Sequence, residues 1–399
     1  LVRQLPAGRA RDRQELNVLG AMSAPLNALL GYSSTELQWT LERSVALAEL
    51  LGEHQVQLAD LVGLFCVRFV QGHTAQAHEI AARALGLARA EADPDLTGQA
   101  HFAYAGTATS LGLPRTAVTH FDLACDLSTG TASLILGTRL EVHARAWAAH
   151  AHWLLGDEPR AVAMGADAVQ LGRSSDHPYS LAVGLAYAAI TDQLRGDIPS
   201  MLTAVAELRA LCRRYDFAYY AEWAPILEGW ATGGDAGITL IREGIARLRS
   251  QGSFARMPYW LSLLAETLID AGRLDAARGV LDGAVGAAYQ RDDRWWLPEV
   301  LRRRAALEPG PEGVERLRRA VDIAAEQHSL TLEARCRADL RARTAPEAVS
   351  CDDGVPGVDG VDGVPGFDGV PDVPGVDGRD EVDGVDGRSS VRIVRSPRP

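Results

Sequence analysis

A glycine returns at a nearly constant interval through most of this chain. It stands at Gly31, Gly72, Gly112, Gly156, Gly196, Gly234, Gly272 and Gly310, with spacings of 41, 40, 44, 40, 38, 38 and 38 residues. Each separates two stretches whose apolar residues recur at helical intervals. In 257–290, Leu261, Leu264 and Leu268 run up to Gly272, and Leu274, Ala277, Val280, Leu281 and Ala284 follow it. In 141–173, Trp147, His150 and Leu154 form one stripe before Gly156; Ala161, Ala166 and Ala168 then leave room for a second helix to approach. A period near 40 with a helix on each side of a glycine means stacked helical hairpins. Glycine suits the turn because a chain leaving a helix there adopts a left-handed conformation that penalises a Cβ. One hairpin cannot bury both apolar flanks, so neighbours cover each other and the array grows as a row.

The fold class expected is therefore all-α: a right-handed superhelical solenoid of tetratricopeptide-like hairpins with a disordered C-terminal tail. Hydrophobic residues make up 47% of the 399 residues, enough for a long core. Ala and Leu, both strong helix formers, dominate the first 345 residues. Seventeen helices are expected between residues 9 and 343. Asp157 and Asp197 suit N-caps, and Pro114 and Pro258 suit first helical turns. Pro225 falls inside a helix expected at 217–232 and should break or kink it. The organisation reads as 1–8, a disordered N-terminus or fragment edge; 9–343, the repeat array; and 344–399, a low-complexity acidic tail. The first residue is Leu1, which fits a piece of a longer protein. Within the tail, 354–389 reads as twelve triplets, ten of them beginning with Gly, a collagen-like period. Asp372 and Glu381 break the Gly register, and only Gly fits a triple-helix axis, so disorder is the expectation. An oligomerising stalk is the rival reading of the tail.

All basic residues are Arg; the chain has no Lys. It can complete neither a Walker A phosphate loop nor a kinase β3 lysine, and it cannot form a lysine Schiff base. The net charge of −12 divides evenly: residues 1–349 carry 41 acids and 35 Arg, and residues 350–399 carry 11 acids and 5 Arg. A body this mildly acidic offers no electrostatic footprint for nucleic acid. Five scattered cysteines without a CxxC favour buried thiols over a zinc site or a disulfide framework. No signal peptide is recognisable, and apolar stretches such as 181–190 fall short of a membrane span, so a cytoplasmic location is expected.

The histidines are not spaced for a metal. His73 and His78 are five apart, and His150 and His152 point to different sides. Asp292 and Asp293, flanked by Arg291 and Arg294, read as solvated charge in a turn. The Arg302–Arg304 cluster with Arg316, Arg318 and Arg319 is interleaved with Glu299, Glu308, Glu312 and Glu315, which reads as a salt-bridged terminal cap. The aromatics are the best site candidates. Tyr219, Tyr220, Trp223 and Trp230 crowd one first-of-pair helix; Tyr259 and Trp260 begin another, and Trp295 and Trp296 a third. First helices line the concave surface of such stacks. Trp223 and Trp230 have core spacing, whereas adjacent Trp295 and Trp296 cannot face the same way, and one is expected to be exposed. The candidate contacts are Tyr220, Tyr259, Trp260, Trp295 and Trp296.

Four runs (15–47, 174–197, 255–285 and 292–309) resemble the long helical-repeat region of large bacterial signalling ATPases of the AAA/STAND type. In that family a class III nucleotide cyclase or a DNA-binding head precedes the ATPase, and the tetratricopeptide-like array comes last. The resemblance covers roughly residues 10–343. Phosphate loop, Walker B strand and cyclase aspartates are missing here, so it carries over no catalytic residue. It implies a sensor or scaffold arm that binds an inducer or partner and biases the ATPase. The functional expectation is a non-catalytic scaffold with no cofactor and no metal, whose concave face takes a protein segment or a small-molecule inducer. An attached ATPase or cyclase module is the other expected partner; nucleic acid and membrane are not. The alternative is a piece of an ATP-binding cyclase or transcription regulator whose catalytic or DNA-binding head lies outside this chain.

Overall fold

The computed structural model describes residues 6–90, 93–128 and 134–345. The collagen-like run lies outside them. The helices begin with α1 (Arg9–Leu30), α2 (Thr35–Leu51), α3 (His54–Val70), α4 (Thr74–Ala88), α5 (Pro94–Ser110) and α6 (Pro114–Leu127). A short antiparallel hairpin follows, β1 (Leu134–Ile135) and β2 (Thr138–Arg139), with Leu134 opposite Arg139. Then come α7 (Leu140–Leu154), α8 (Glu158–Ser174), α9 (Pro178–Arg195), α10 (Ile198–Tyr215), α11 (Ala218–Ala221), α12 (Trp223–Thr232) and α13 (Gly234–Ser250). The array ends with α14 (Met257–Asp270), α15 (Leu274–Gln290), α16 (Leu297–Ala306), α17 (Pro311–Glu326) and α18 (Leu330–Thr344).

Consecutive helices pair as hairpins, and the first members stack on one another: α3 on α5, α5 on α7, α7 on α9, α12 on α14, α14 on α16. All eight register glycines have positive φ. Gly196 illustrates why: at φ 78°, ψ 17° it closes α9 and its N–H bonds back to the Gln193 carbonyl. The N-caps form as expected, with the Asp157 and Asp197 carboxylates accepting from the Arg160 and Ser200 amides. Pro225 does divide the expected 217–232 helix. The chain breaks at Glu222, and Pro225 sits in the first turn of α12, where its missing N–H costs nothing. Among the expected boundaries that move, α7 starts at Leu140 and not at 137, because residues 138–139 pair as β2, and α16 starts at Leu297 and not at 294, so Trp295 and Trp296 belong to the turn before it.

The array is long enough to pass over itself. The amides of Phe254 and Ala255, before α14, both donate to the Val70 carbonyl at the end of α3 (2.7 and 3.1 Å). Those of Arg294 and Trp295, before α16, donate to Ser110 at the end of α5 (2.6 and 3.1 Å). The Thr331 hydroxyl, at the start of α18, donates to Trp153 near the end of α7 (2.5 Å), 178 residues away. Each step of one hairpin in the first turn is matched by one in the second. The inner helices are therefore covered on every side. Thirteen of the fifteen residues of α7 are buried, against five of the seventeen in its partner α8.

The last hairpin is capped by charge. Glu299, fully buried, receives Arg302 at 2.8 Å and Arg303 at 2.9 Å; Arg302 also meets Asp339, and Glu308 bridges Arg304 and Arg316. Burial alone would raise the Glu299 pKa, but the two guanidiniums hold it well below the usual carboxylate range.

Candidate binding centre on the inner face

The five aromatic residues singled out above converge. Tyr220 touches Trp223 (ring centroids 5.1 Å apart), Trp223 touches Trp260 (5.3 Å), and Trp260 touches Tyr259 (4.8 Å). Tyr259 then meets Trp295 (5.6 Å) and Trp296 (5.4 Å), which pack on each other at 4.9 Å. These arrangements are mostly edge-to-face or tilted, as the ring quadrupoles prefer. All five rings are buried; Trp295 and Trp296 are 1% and 2% exposed. The expectation that one of this tryptophan pair faces solvent is thus corrected. Both sit in the turn that docks on Ser110, and Trp296 continues to Trp153 of the first superhelical turn. The Tyr259 hydroxyl donates to Gln193, and Trp296 Nε1 donates to Ser262.

At the middle of this cluster is Arg256, which sequence reasoning passed over. Its guanidinium carbon lies 4.9 Å from the ring centre of Tyr187, 5.2 Å from Trp147, and 5.7 Å from both Trp223 and Trp295. The residue is 2% exposed. The guanidinium hydrogen-bonds the Tyr187 side chain. Nη1 approaches His150 Nδ1 at 3.4 Å, while His150 Nε2 donates to the Tyr187 carbonyl at 3.0 Å. Burial, then the Arg256 charge, push the His150 pKa well below its ordinary value, so this ring is neutral and can accept. Four aromatic faces surround the guanidinium, each worth about 0.5–2 kcal/mol to a cation.

Arg256 is also held at φ 61°. The turns before successive inner helices repeat this conformation at Asp176, Asp216, Arg256, Asp292 and His328. Asp and His tolerate it better than Arg. The Arg256 amide is fixed by Asp293 Oδ2 at 2.8 Å. Asp293, read from the sequence as a solvated acid, is 2% exposed. Burial raises its carboxyl to about 6 against the lowering pull of Arg256. The available sequence signal was the 36-residue step from Arg256 to Asp292 and from Tyr259–Trp260 to Trp295–Trp296, which aligns the two turns.

A second contact region adjoins this cluster through Tyr179, whose ring lies 6.0 Å from that of Tyr220. Asn27 Nδ2, on α1, donates to the Leu136 carbonyl (2.9 Å) and to the Tyr179 hydroxyl (3.1 Å). The Arg139 amide donates to Ser180 Oγ on α9 (2.9 Å). The β1–β2 excursion thus lies on side chains from α1 and α9, and Leu136 packs beside Gly63 of α3. Its only sequence trace was the single 44-residue spacing. Among the described residues, no group of three or more His, Cys, Asp or Glu is placed to hold a metal ion. No described helix is long and apolar enough to cross a membrane.

No family model matches the chain. An uncharacterized protein of Rhizobium meliloti (strain 1021) is 28% identical over 174 residues, 41% of this chain. The chain spans 17% of that relative's length. Among solved structures, a Rap protein complexed with competence and sporulation factor superposes with a TM-score of 0.54 at 14% identity, covering 82% of this chain and 90% of that one. A STAND protein with a tetratricopeptide repeat sensor from Pyrococcus horikoshii gives 0.49 at 10% identity, over 85% and 54%. At these identities the likeness is one of fold. The chain is an all-helical, tetratricopeptide-like solenoid.

Proposed function

We propose that this chain is a partner-recognising helical scaffold without chemistry of its own, which responds to its partner by changing how tightly its second superhelical turn sits on the first. One observation carries the reading: the two turns meet at a repeated set of turn-to-helix backbone hydrogen bonds and a shared aromatic core around Arg256, and no hairpin is divided between them. Such a contact can part as a unit without unravelling any hairpin. The Rap protein with this fold, solved with competence and sporulation factor, supports binding as the role of the architecture. The finer reading is a sensor arm of a bacterial signalling or transcription-regulatory ATPase, acting on a protein segment or small inducer. It rests on the sequence resemblance and fits a relative far longer than this chain.

Tryptophan emission tests the scaffold reading, because Trp147, Trp223, Trp260, Trp295 and Trp296 are all buried where the turns meet. Opening should red-shift the emission, and Arg256→Ala should bring the unliganded chain part of the way there. A helical, cooperatively melting Arg256→Ala chain with unchanged emission and unchanged hydrogen exchange at 254–256 and 294–296 would end the reading. For the sensor arm, ATP hydrolysis by a longer parent protein should change on introducing Arg256→Ala; unaltered hydrolysis with and without its inducer would reject it.

A further inference from the structure

We propose that the outer face of the first hairpin, α1–α2, is a self-association surface on which a second copy of this chain packs about a twofold axis.

Apolar side chains are unevenly exposed along the array. Val18, Met22, Leu29 and Leu30 on α1 and Trp39 and Leu50 on α2 all stand in solvent. No other hairpin among the described residues exposes more than two large apolar side chains. Val18, Met22 and Leu29 sit at i, i+4 and i+11, which is one stripe of α1. Trp39 and Leu50 are also eleven apart and form one stripe of α2. The Arg43–Glu15 ion pair joins the two stripes, because Arg43 lies one turn after Trp39 and Glu15 one turn before Val18. Trp39 is 50% exposed, so a side chain with one of the largest apolar surfaces to bury is left half in water.

The opposite end of the array differs. Its last helix, α18, turns Arg337, Arg341 and Arg343 outward and exposes one large apolar side chain, Leu330. A polar outer face of that kind keeps an end repeat in solution, and α1–α2 lacks it.

Three observations name the occupant. The six side chains leave roughly 600 Å² of apolar surface in water, the upper end of what a monomer shows and most of what each partner buries in a standard interface. The charged α18 end offers no apolar counterpart, so copies do not join head to tail. The patch finds its match in itself, and a like-on-like contact closes on a twofold. Its seam also carries one base beside one acid, Arg43 and Glu15, both partly open to solvent. Turned over by a twofold, each meets the opposite charge of the other copy, and the four close an alternating ring.

Sedimentation equilibrium of the full chain tests this. At about 50 µM the mass should approach twice the 42.8 kDa of one chain and fall toward one chain on dilution, as an interface below standard size requires. Trp39→Glu and Leu29→Asp should each weaken association at least about thirtyfold, the effect of losing a central anchor. Leu202→Asp, at an exposed leucine of α10, should leave it unchanged. Glu15→Arg and Arg43→Glu should each weaken self-association, and mixing the two variants should restore the dimer, because the like-charged pairs then face each other with opposite sign. A chain that stays monomeric throughout overturns the proposal and means that whatever covers the patch is not this chain. A dimer that survives both Trp39→Glu and Leu29→Asp overturns it too, as do charge variants that fail to pair on mixing. These side chains lie at the surface, so the variants should melt as the parent does; if one does not, the others are read by the same outcomes. The tryptophan emission of Arg256→Ala has no bearing on these masses, so this proposal and the scaffold reading can each fail alone.

Discussion

The eight register glycines look alike in the sequence, yet they fall into two groups in space. A Cβ at Gly72 would stand 2.8 Å from the Phe254 Cβ, and one at Gly112 would stand 2.6 Å from the Gln327 amide. Gly31 and Gly156 are approached by Tyr219 and Leu330 at 3.8 and 3.5 Å. At Gly196, Gly234, Gly272 and Gly310 nothing lies within 4 Å. All eight turn the chain with positive φ, but the first four also form the floor on which the second superhelical turn rests. A repeat period thus reports a local turn requirement that all units share. It carries no record of which units will be covered later.

The sharpest way to break that distinction is to hollow out the place where the turns meet. Trp295→Ala removes a ring packed on Tyr259, Trp296 and Arg256, and should lower stability by about 3–5 kcal/mol in urea denaturation of the full chain. Leu274→Ala, on an outer helix and 47% exposed, should cost under about 0.5 kcal/mol. Similar losses for the two would erase the contrast between covered and open faces.

The glycines themselves give the next largest effect. Gly72→Ala combines left-handed strain with a collision against Phe254 and should cost about 3 kcal/mol; Gly272→Ala meets only the strain and should cost about 1 kcal/mol. Matching values would mean that the second turn does not rest on Gly72.

Acidity probes the same contact more gently. The Asp293 carboxyl, raised to about 6 when folded, lies above its ordinary unfolded value near 3.9. The folded state therefore holds that proton more tightly. The stabilisation is full below about pH 4 and is lost as pH rises through 6. Between pH 7 and 5 the native chain should gain about 1 kcal/mol relative to Asp293→Asn. Asp60, also raised to about 6 by burial but hydrogen-bonded to Ser44 within the first hairpins, should show a similar gain that is indifferent to coil opening. A pH-independent difference between the native chain and Asp293→Asn would mean that water already reaches Asp293. The smallest expected effect is a gain: Gly279→Ala, helical with open space at its Cβ, should stabilise by about 0.5 kcal/mol.

Much of the fold was legible because it is local. Helical periodicity marks the helices, the glycines mark their turns, and the Asp157 and Asp197 caps and the Pro225 break need only a few neighbouring residues. The candidate site was half legible. Tyr220, Tyr259, Trp260, Trp295 and Trp296 were recognised as a group, but their exposure was misjudged for the tryptophan pair. Arg256 was invisible as a site residue. An arginine before a helix is ordinarily solvated, and nothing within forty residues reveals the Trp147 and Tyr187 rings that surround it. The hairpin at 134–139 left one oversized interval and no hint of what it touches.

By itself, then, the sequence determined that this protein is a row of helical hairpins and where each one turns. Those choices depend on φ, on side-chain period and on capping groups within a few residues of each other. The tertiary structure alone decided that the row coils back on itself, fills its own inner face and holds a buried cation there. Those outcomes depend on the small rotation from each hairpin to the next, accumulated over about four or five repeats. No single residue encodes that sum, and a slight change in it would have left the same aromatic rings facing water.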